Sequence, residues 1–165
     1  MSTLFDFKKS NEIERWLVVN DGVMGGVSES QIKWNEKNET LIFSGNVSLE
    51  NYGGFASIRT YPQKFEVKKF SKIKLRVKGD GKNYKFRLRA SNQFDGIAYS
   101  QNFTTKKDAW TELTLNMSDF KATFRGRIFS DYPEFQPKDL QQIGILIADK
   151  QVGQFNLEID WIKTL

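Results

Sequence analysis

Residues 72–78, Lys-Ile-Lys-Leu-Arg-Val-Lys, place Ile73, Leu75 and Val77 on one side of an extended backbone and Lys72, Lys74, Arg76 and Lys78 on the other. Side chains of a strand alternate between faces, so this period of two reads as a half-buried strand. Residues 84–90 repeat the pattern, with Tyr84, Phe86, Leu88 and Ala90 opposing Lys85, Arg87 and Arg89. Gly79-Asp80-Gly81-Lys82 lies between them, and an Asp-Gly pair tolerates left-handed backbone. The spacing predicts a β-hairpin with one apolar and one basic face.

Outward from this pair, further strands are expected at 40–44, 46–50, 55–60, 98–103, 111–116, 143–148 and 155–162. In the last, Phe155, Leu157, Ile159 and Trp161 alternate with Asn156, Glu158 and Asp160. Helical periodicity is confined to two short turns, Ser10 to Trp16, which Ser10 could cap, and Pro137 to Gln142, opened by proline. About nine short strands separated by turn signals indicate an all-β antiparallel sandwich or jelly roll. No repeat, low-complexity tract or linker interrupts the chain, so residues 1–165 read as one domain. The 155–162 segment reads as an internal strand whose removal would unfold the protein.

Composition excludes more than it identifies. The 165-residue chain has no cysteine and no histidine, which removes disulfides, thiolate nucleophiles, Ser-His-Asp triads and imidazole or thiolate metal sites. Carboxylates, lysine, tyrosine and serine remain, so catalysis is disfavoured, with no catalytic residue and no metal site assigned. Hydrophobic content of 39%, with 14 Phe, argues for a folded core. No stretch approaches the roughly 20 apolar residues of a membrane span, and the N-terminus has no signal-peptide run, so a cytoplasmic protein is expected. The net charge of +5 is compatible with anionic partners without naming one.

Lys74, Arg76, Lys85, Arg87 and Arg89 are expected side by side on the predicted hairpin. There like charges repel unless Glu158 and Asp160, or an external phosphate, carboxylate or acidic protein, neutralise them. Nucleic acid is disfavoured, because Tyr84 and Phe86 point away from these cations. Carbohydrate would be gripped by aromatics such as Trp16, Trp34, Trp110, Tyr52, Tyr61 and Tyr99 if they are exposed. No cofactor is expected, and structural calcium stays open because Asp21, Asp80, Asp95, Asp149 and Asp160 have no loop-type spacing. Carboxylate pairs for glycoside hydrolysis, drawn from Asp21, Glu29, Glu50 and Asp149, have no sequence signal that places them together.

Two Gly-Gly segments stand out: Asn20-Asp21-Gly22-Val23-Met24-Gly25-Gly26-Val27-Ser28, and Gly53-Gly54-Phe55-Ala56-Ser57-Ile58-Arg59. Paired glycines permit positive φ and close backbone approach, so both read as loops or strand ends. Together with Gly45 to Tyr52, Gly79-Asp80-Gly81, Phe124-Arg125-Gly126-Arg127 and Gly153 to Ile162, these segments resemble the complex I intermediate-associated protein 30 family over residues 16–162. The resemblance implies a galactose-binding-like β-sandwich and, in mitochondrial members, a chaperone-like role in assembling respiratory complex I. It also puts weight on Asp21, Met24, Gly25, Gly26, Ser28, Gly53, Gly54, Phe55, Ser57 and Arg59. The reading that follows has the two Gly-Gly loops adjoining, Asp21 and Arg59 forming a polar centre or a locking salt bridge, and Met24 an adaptable apolar contact. A non-enzymatic protein-binding module is expected, its partners including respiratory-complex subunits. A carbohydrate-binding module is the alternative, and a carboxylate enzyme comes third.

Overall fold

A computed structural model describes residues 1–67, 69–91 and 96–165, excluding the side chains of Val23, Met24 and Tyr52. Two antiparallel sheets face one another. The first comprises β1 (Ser2–Asp6), β3 (Glu29–Asn35), β4 (Thr40–Val47), β6 (Lys72–Lys78), β9 (Trp110–Asn116) and β13 (Gly153–Thr164), in the order β3-β4-β13-β6-β9 with β1 also on β13. The second comprises β2 (Trp16–Val18), β5 (Ala56–Thr60), β7 (Asn83–Arg89), β8 (Ala98–Thr104), β10 (Lys121–Phe124), β11 (Arg127–Phe129) and β12 (Gln142–Ile147), in the order β11-β10-β8-β7-β12-β5-β2. The alternating apolar residues meet in one core, where Phe43, Leu75, Leu157 and Ile159 of one sheet face Ile58, Phe86, Leu88 and Ile145 of the other. All eight are fully buried. This is the expected all-β sandwich, and β13 lies inside its sheet as expected.

The predicted hairpin does not form. β6 and β7 have the expected strand character but belong to opposite sheets, so residues 79–82 cross from one layer to the other. The crossing satisfies the same alternation: both apolar sides face the core, and the two cationic sides point away from each other. Lys74 and Arg76 therefore sit on the outer face of the six-stranded sheet, while Lys85, Arg87 and Arg89 sit on that of the seven-stranded sheet. The expected continuous five-cation face is absent. Asp80 pins the crossing, accepting hydrogen bonds from the Tyr84 hydroxyl (3.0 Å), Lys82 N–H (3.1 Å) and Asn156 N–H (2.8 Å).

Other boundaries shift for local reasons. Gly45 is no strand break, so segment 40–44 runs on through it to Val47 in β4, while the rest of the expected 46–50 strand does not form and Glu50 opens a 3-10 turn. Gly45 lies between Ser30 and Phe155 in the ladder, where a Cβ would stand 2.1 Å from the Glu29 carbonyl oxygen. The two helical turns are 3-10 turns, Ser10–Arg15 and Pro137–Asp139, and Lys9 rather than Ser10 holds the N-cap position of the first. β1, β2, β3, β10 and β11 were not anticipated. They are short or polar and have weak alternation.

Gly79 is buried, and a Cβ there would lie 2.0 Å from Cβ of Thr105. Gly79→Ala is expected to cost about 2 kcal/mol or more by overpacking the crossing, read as a lower urea midpoint with an unchanged slope.

Candidate functional site

The two Gly-Gly segments do adjoin, and the residue that joins them is Asp21. It opens a 3-10 turn, Asp21–Met24, just after β2, and is fully buried. An ionised carboxylate at such a position needs every lone pair engaged. One carboxylate oxygen accepts the Ser28 N–H at 2.9 Å, and the other accepts the Gly54 N–H at 2.7 Å, the Phe55 N–H at 3.3 Å and the Ser28 hydroxyl. The Ser28 hydroxyl oxygen in turn accepts the Ser48 N–H at 2.9 Å. Backbone bonds from Asp21 N–H to Phe55 C=O (3.2 Å) and from Gly26 N–H to Asp21 C=O (2.8 Å) close the corner. Burial raises the Asp21 pKa, but the bonds from Ser28, Gly54 and Phe55 outweigh it and hold the group below its ordinary value.

Each glycine pair divides its labour. Gly26 and Gly53 face the carboxylate: a Cβ on Gly26 would lie 2.4 Å from Asp21 Cγ, and one on Gly53 2.5 Å from its carboxylate oxygen. Gly25 and Gly54 supply backbone conformation instead, with φ of +87° and +135°. Ser57 is also structural, its hydroxyl donating to the Val19 carbonyl. The Met24 side chain lies outside the described residues.

Arg59 does not join this corner, so neither the expected polar centre nor the alternative salt bridge with Asp21 forms. The bonds to Asp21 come from the entrance to β5, and Arg59 lies four residues further along, about 13 Å at the rise of a strand. It lies on the outer side of the seven-stranded sheet but is buried there, 8% exposed, with a partner within the chain. There the register aligns Arg59 with Gly144, Gly144 with Arg87, Arg87 with Ser100, and Ser100 with Lys121. Within this row, Arg87 Nε and Ser100 Oγ are buried without hydrogen-bond partners. Burial, with a further push from the charge of Arg59, lowers the Arg87 guanidinium to about 10. Gly144 and Ser100 escaped the sequence reading, although a lone glycine inside the apolar run 143–148 is a signal of close approach.

On the outer face of the six-stranded sheet several cations meet partners within the fold. Arg76 Nε donates to Asp160 at 3.1 Å and its guanidinium lies 4.8 Å from the Trp110 ring centroid. Lys8 pairs with Asp160 at 2.9 Å, and the Lys163 ammonium lies 4.2 Å from the Trp161 centroid. Glu158 accepts from Thr40 and Asn38 and, among the described residues, pairs with no lysine or arginine. Of the other aromatics considered for sugar binding, Trp16 and Tyr99 are buried, Trp34 is half-buried and donates to the Phe7 carbonyl, and Tyr61 is exposed. The Tyr52 side chain and Asp95 fall outside what the structure describes. Among the described residues, no group of three or more carboxylates is placed to hold a metal ion, and no helix is long and apolar enough to cross a membrane.

Comparison with known proteins matches the Complex I intermediate-associated protein 30 family over residues 5–159. Two relatives carry that name. The mouse mitochondrial protein is 26% identical, over 96% of this chain and 54% of its own length. A probable mitochondrial counterpart from Caenorhabditis elegans is 32% identical, over 78% of this chain and 43% of its own. The chain thus spans about half the length of the curated relatives it matches. Among solved structures, a family 11 carbohydrate-binding module from Clostridium thermocellum, in complex with a mixed-linked tetrasaccharide, aligns with a TM-score of 0.72 at 17% identity. The alignment covers 99% of this chain and 94% of that one. At that identity the likeness establishes the fold. The relatives count against the expected cytoplasmic location, since both are named as mitochondrial proteins.

Asp21→Asn is expected to destabilise the protein by about 3 kcal/mol, because an amide must turn a donor toward the N–H of Ser28 or of Gly54. Chemical denaturation reads this loss. The native Asp21 pKa lies below that of the unfolded chain. Its contribution is therefore present above the unfolded value, 3.8, and is lost as pH falls through the lower native value. The variant should accordingly show shallower acid unfolding than wild type.

Proposed function

We propose a non-catalytic, protein-binding role in the assembly of a multi-subunit complex for this chain, which belongs to the complex I intermediate-associated protein 30 family. What favours a protein partner is the outward side of the Asp21 corner. Ser28 and Ser48 are joined by a hydrogen bond, and the residue beside each is an exposed aliphatic: Val27 is 43% and Leu49 42% exposed. Leu49 lies over Gly54, where a Cβ would stand 3.1 Å from its Cδ2. The corner thus presents two apolar side chains from two loops on a frame stiffened by a saturated buried carboxylate. Scattered surface apolar residues need no explanation, but neighbouring ones on a rigid frame form the kind of patch proteins dock against. By the family's name, subunits of a respiratory complex are the clients to test first.

The carbohydrate reading ranks second, because its support is the fold likeness. Sugar-binding faces present aromatic platforms, whereas the outer row of the seven-stranded sheet carries Arg59, Arg87 and Lys121. A carboxylate enzyme ranks third, since Asp21 spends its lone pairs on four hydrogen bonds.

The test is affinity capture from the native host followed by mass spectrometry of retained proteins, comparing wild type with a Val27→Asp, Leu49→Asp double variant. The variant should keep its stability within about 0.5 kcal/mol per substitution, as exposed positions allow. It should lose respiratory-complex or other multi-subunit partners that wild type retains. A wild type that retains nothing specific, or a folded variant that retains the same partners, rejects this docking corner.

A further inference from the structure

We propose that an open cleft of about 620 Å³ on the outer face of β3, β4 and β13 binds an uncharged oligosaccharide, whose hydroxyls exchange hydrogen bonds with the amides of Gln31, Asn46, Gln154 and Asn156. The proposal deepens the carbohydrate reading ranked second above by giving it a site, and it does not depend on the docking role of the Asp21 corner.

Register builds the cleft. The three strands run side by side, so Gln31, Ser44 and Asn156 form one row across them and Glu29, Asn46 and Gln154 form the next. Neighbours in a row stand about 4.8 Å apart, and the rows about 7 Å apart. Phe43, Phe155 and Leu157 take the alternate positions and are buried, so both rows face outward. Asp80 extends the first row beyond Asn156, whose N–H it accepts at 2.8 Å, and bonds from the Tyr84 hydroxyl and the Lys82 N–H fix it there. The volume lies within the range of small-molecule sites, about 300–1,000 Å³.

The chemistry of the lining selects the ligand. Among the described residues, the side chains of Gln31, Ser44, Asn46, Gln154 and Asn156 have no hydrogen-bond partner, so their full bonding capacity faces the cleft. A carboxamide offers an acceptor oxygen and two N–H donors, and a sugar hydroxyl is likewise both donor and acceptor. An anion is disfavoured, because Glu29 and Asp80 line the cleft and no described lysine or arginine does. A simple cation is disfavoured too, since it would meet four sets of amide donors. These positions also differ from an ordinary solvated face. On β6 of the same sheet the outward residues are Lys72, Lys74, Arg76 and Lys78, whereas Asn46 and Asn156 lie inside strands, where asparagine is depleted. Departures from local propensity gather at functional sites. The one aromatic among the described lining residues, Phe155, is 3% exposed and offers no stacking platform. Hydrogen bonds therefore carry recognition, and the expected Kd is weak, about 1 mM.

The test is two-dimensional amide NMR of the full chain, titrated to tens of millimolar with uncharged cellohexaose, laminarihexaose, maltohexaose, xylohexaose and mannohexaose. Hexagalacturonate and a chitosan hexamer supply the anionic and cationic comparisons. At least one uncharged sugar should give saturable shifts of the side-chain amide signals of Gln31, Asn46, Gln154 and Asn156. Gln31→Ala and Asn156→Ala, both exposed positions, should each weaken that binding about two- to tenfold, the range for losing a hydrogen bond between uncharged groups. Asn102→Ala, an exposed amide on the other sheet, should leave it unchanged. The Val27→Asp, Leu49→Asp variant should bind the sugar as wild type does, which separates a failure of this site from a failure of the docking corner. No saturable shift with any uncharged sugar, binding confined to a charged one, or wild-type affinity in both amide variants would overturn the proposal.

Discussion

The buried carboxylate of Asp21 is the constraint around which this sandwich is arranged at one end. It follows β2 of the seven-stranded sheet and takes N–H donors from the entrance to β5 of that sheet. Ser28, just ahead of β3, and through it Ser48, just after β4, bring in the other sheet. One ionised group therefore ties the layers together by hydrogen bonds rather than by apolar contact. Its low dielectric surroundings strengthen each bond and make each one costly to lose. Four glycines follow from this placement, two because the carboxylate leaves no room for a Cβ and two because the backbone must turn to reach it.

Alternation made the strands legible, but it did not say which sheet each strand joins. Ile73, Leu75 and Val77, like Tyr84, Phe86 and Leu88, bury the same faces whether the two strands lie side by side or face each other across the core. Asp80-Gly81 reads as a hairpin turn because its residues tolerate one. What decides for the crossing is non-local: Gly79 against Thr105, and Asp80 against Asn156. Short polar strands such as β10 and β11 carry too few apolar positions to show a period, and their place comes from the sheet edge they extend.

The Gly-Gly segments were legible as close-approach points, and their contact with each other was inferred correctly. The error lay in pairing Asp21 with Arg59 because opposite charges in two adjoining motifs invite an ion pair. A strand separates its ends by about 3.3 Å per residue, so a motif that runs from loop into strand carries its last residue away from the site its first residues build. Arg59 belongs to the row of Arg87 and Ser100, which no local pattern could assemble, since Gly144 is some fifty residues from either arginine's segment or more. The missing information was register.

The two outer faces show what register does to charge. On the six-stranded sheet, Arg76 meets Asp160 and the ring of Trp110, and Lys163 the ring of Trp161. On the seven-stranded sheet, Arg87 meets Arg59 across a glycine. Glycine beside charge thus occurs twice with opposite outcomes. At Gly26 and Gly53 the cleared space is filled by Asp21, and the group is closed to anything outside. At Gly144 the cleared position lies between Arg59, which is buried and has a partner within the chain, and Arg87, whose Nε is buried without a hydrogen bond. Stability selects the first arrangement on its own account. The second works against stability, since an arginine with its Nε buried and unbonded weakens the folded state wherever no counter-charge arrives.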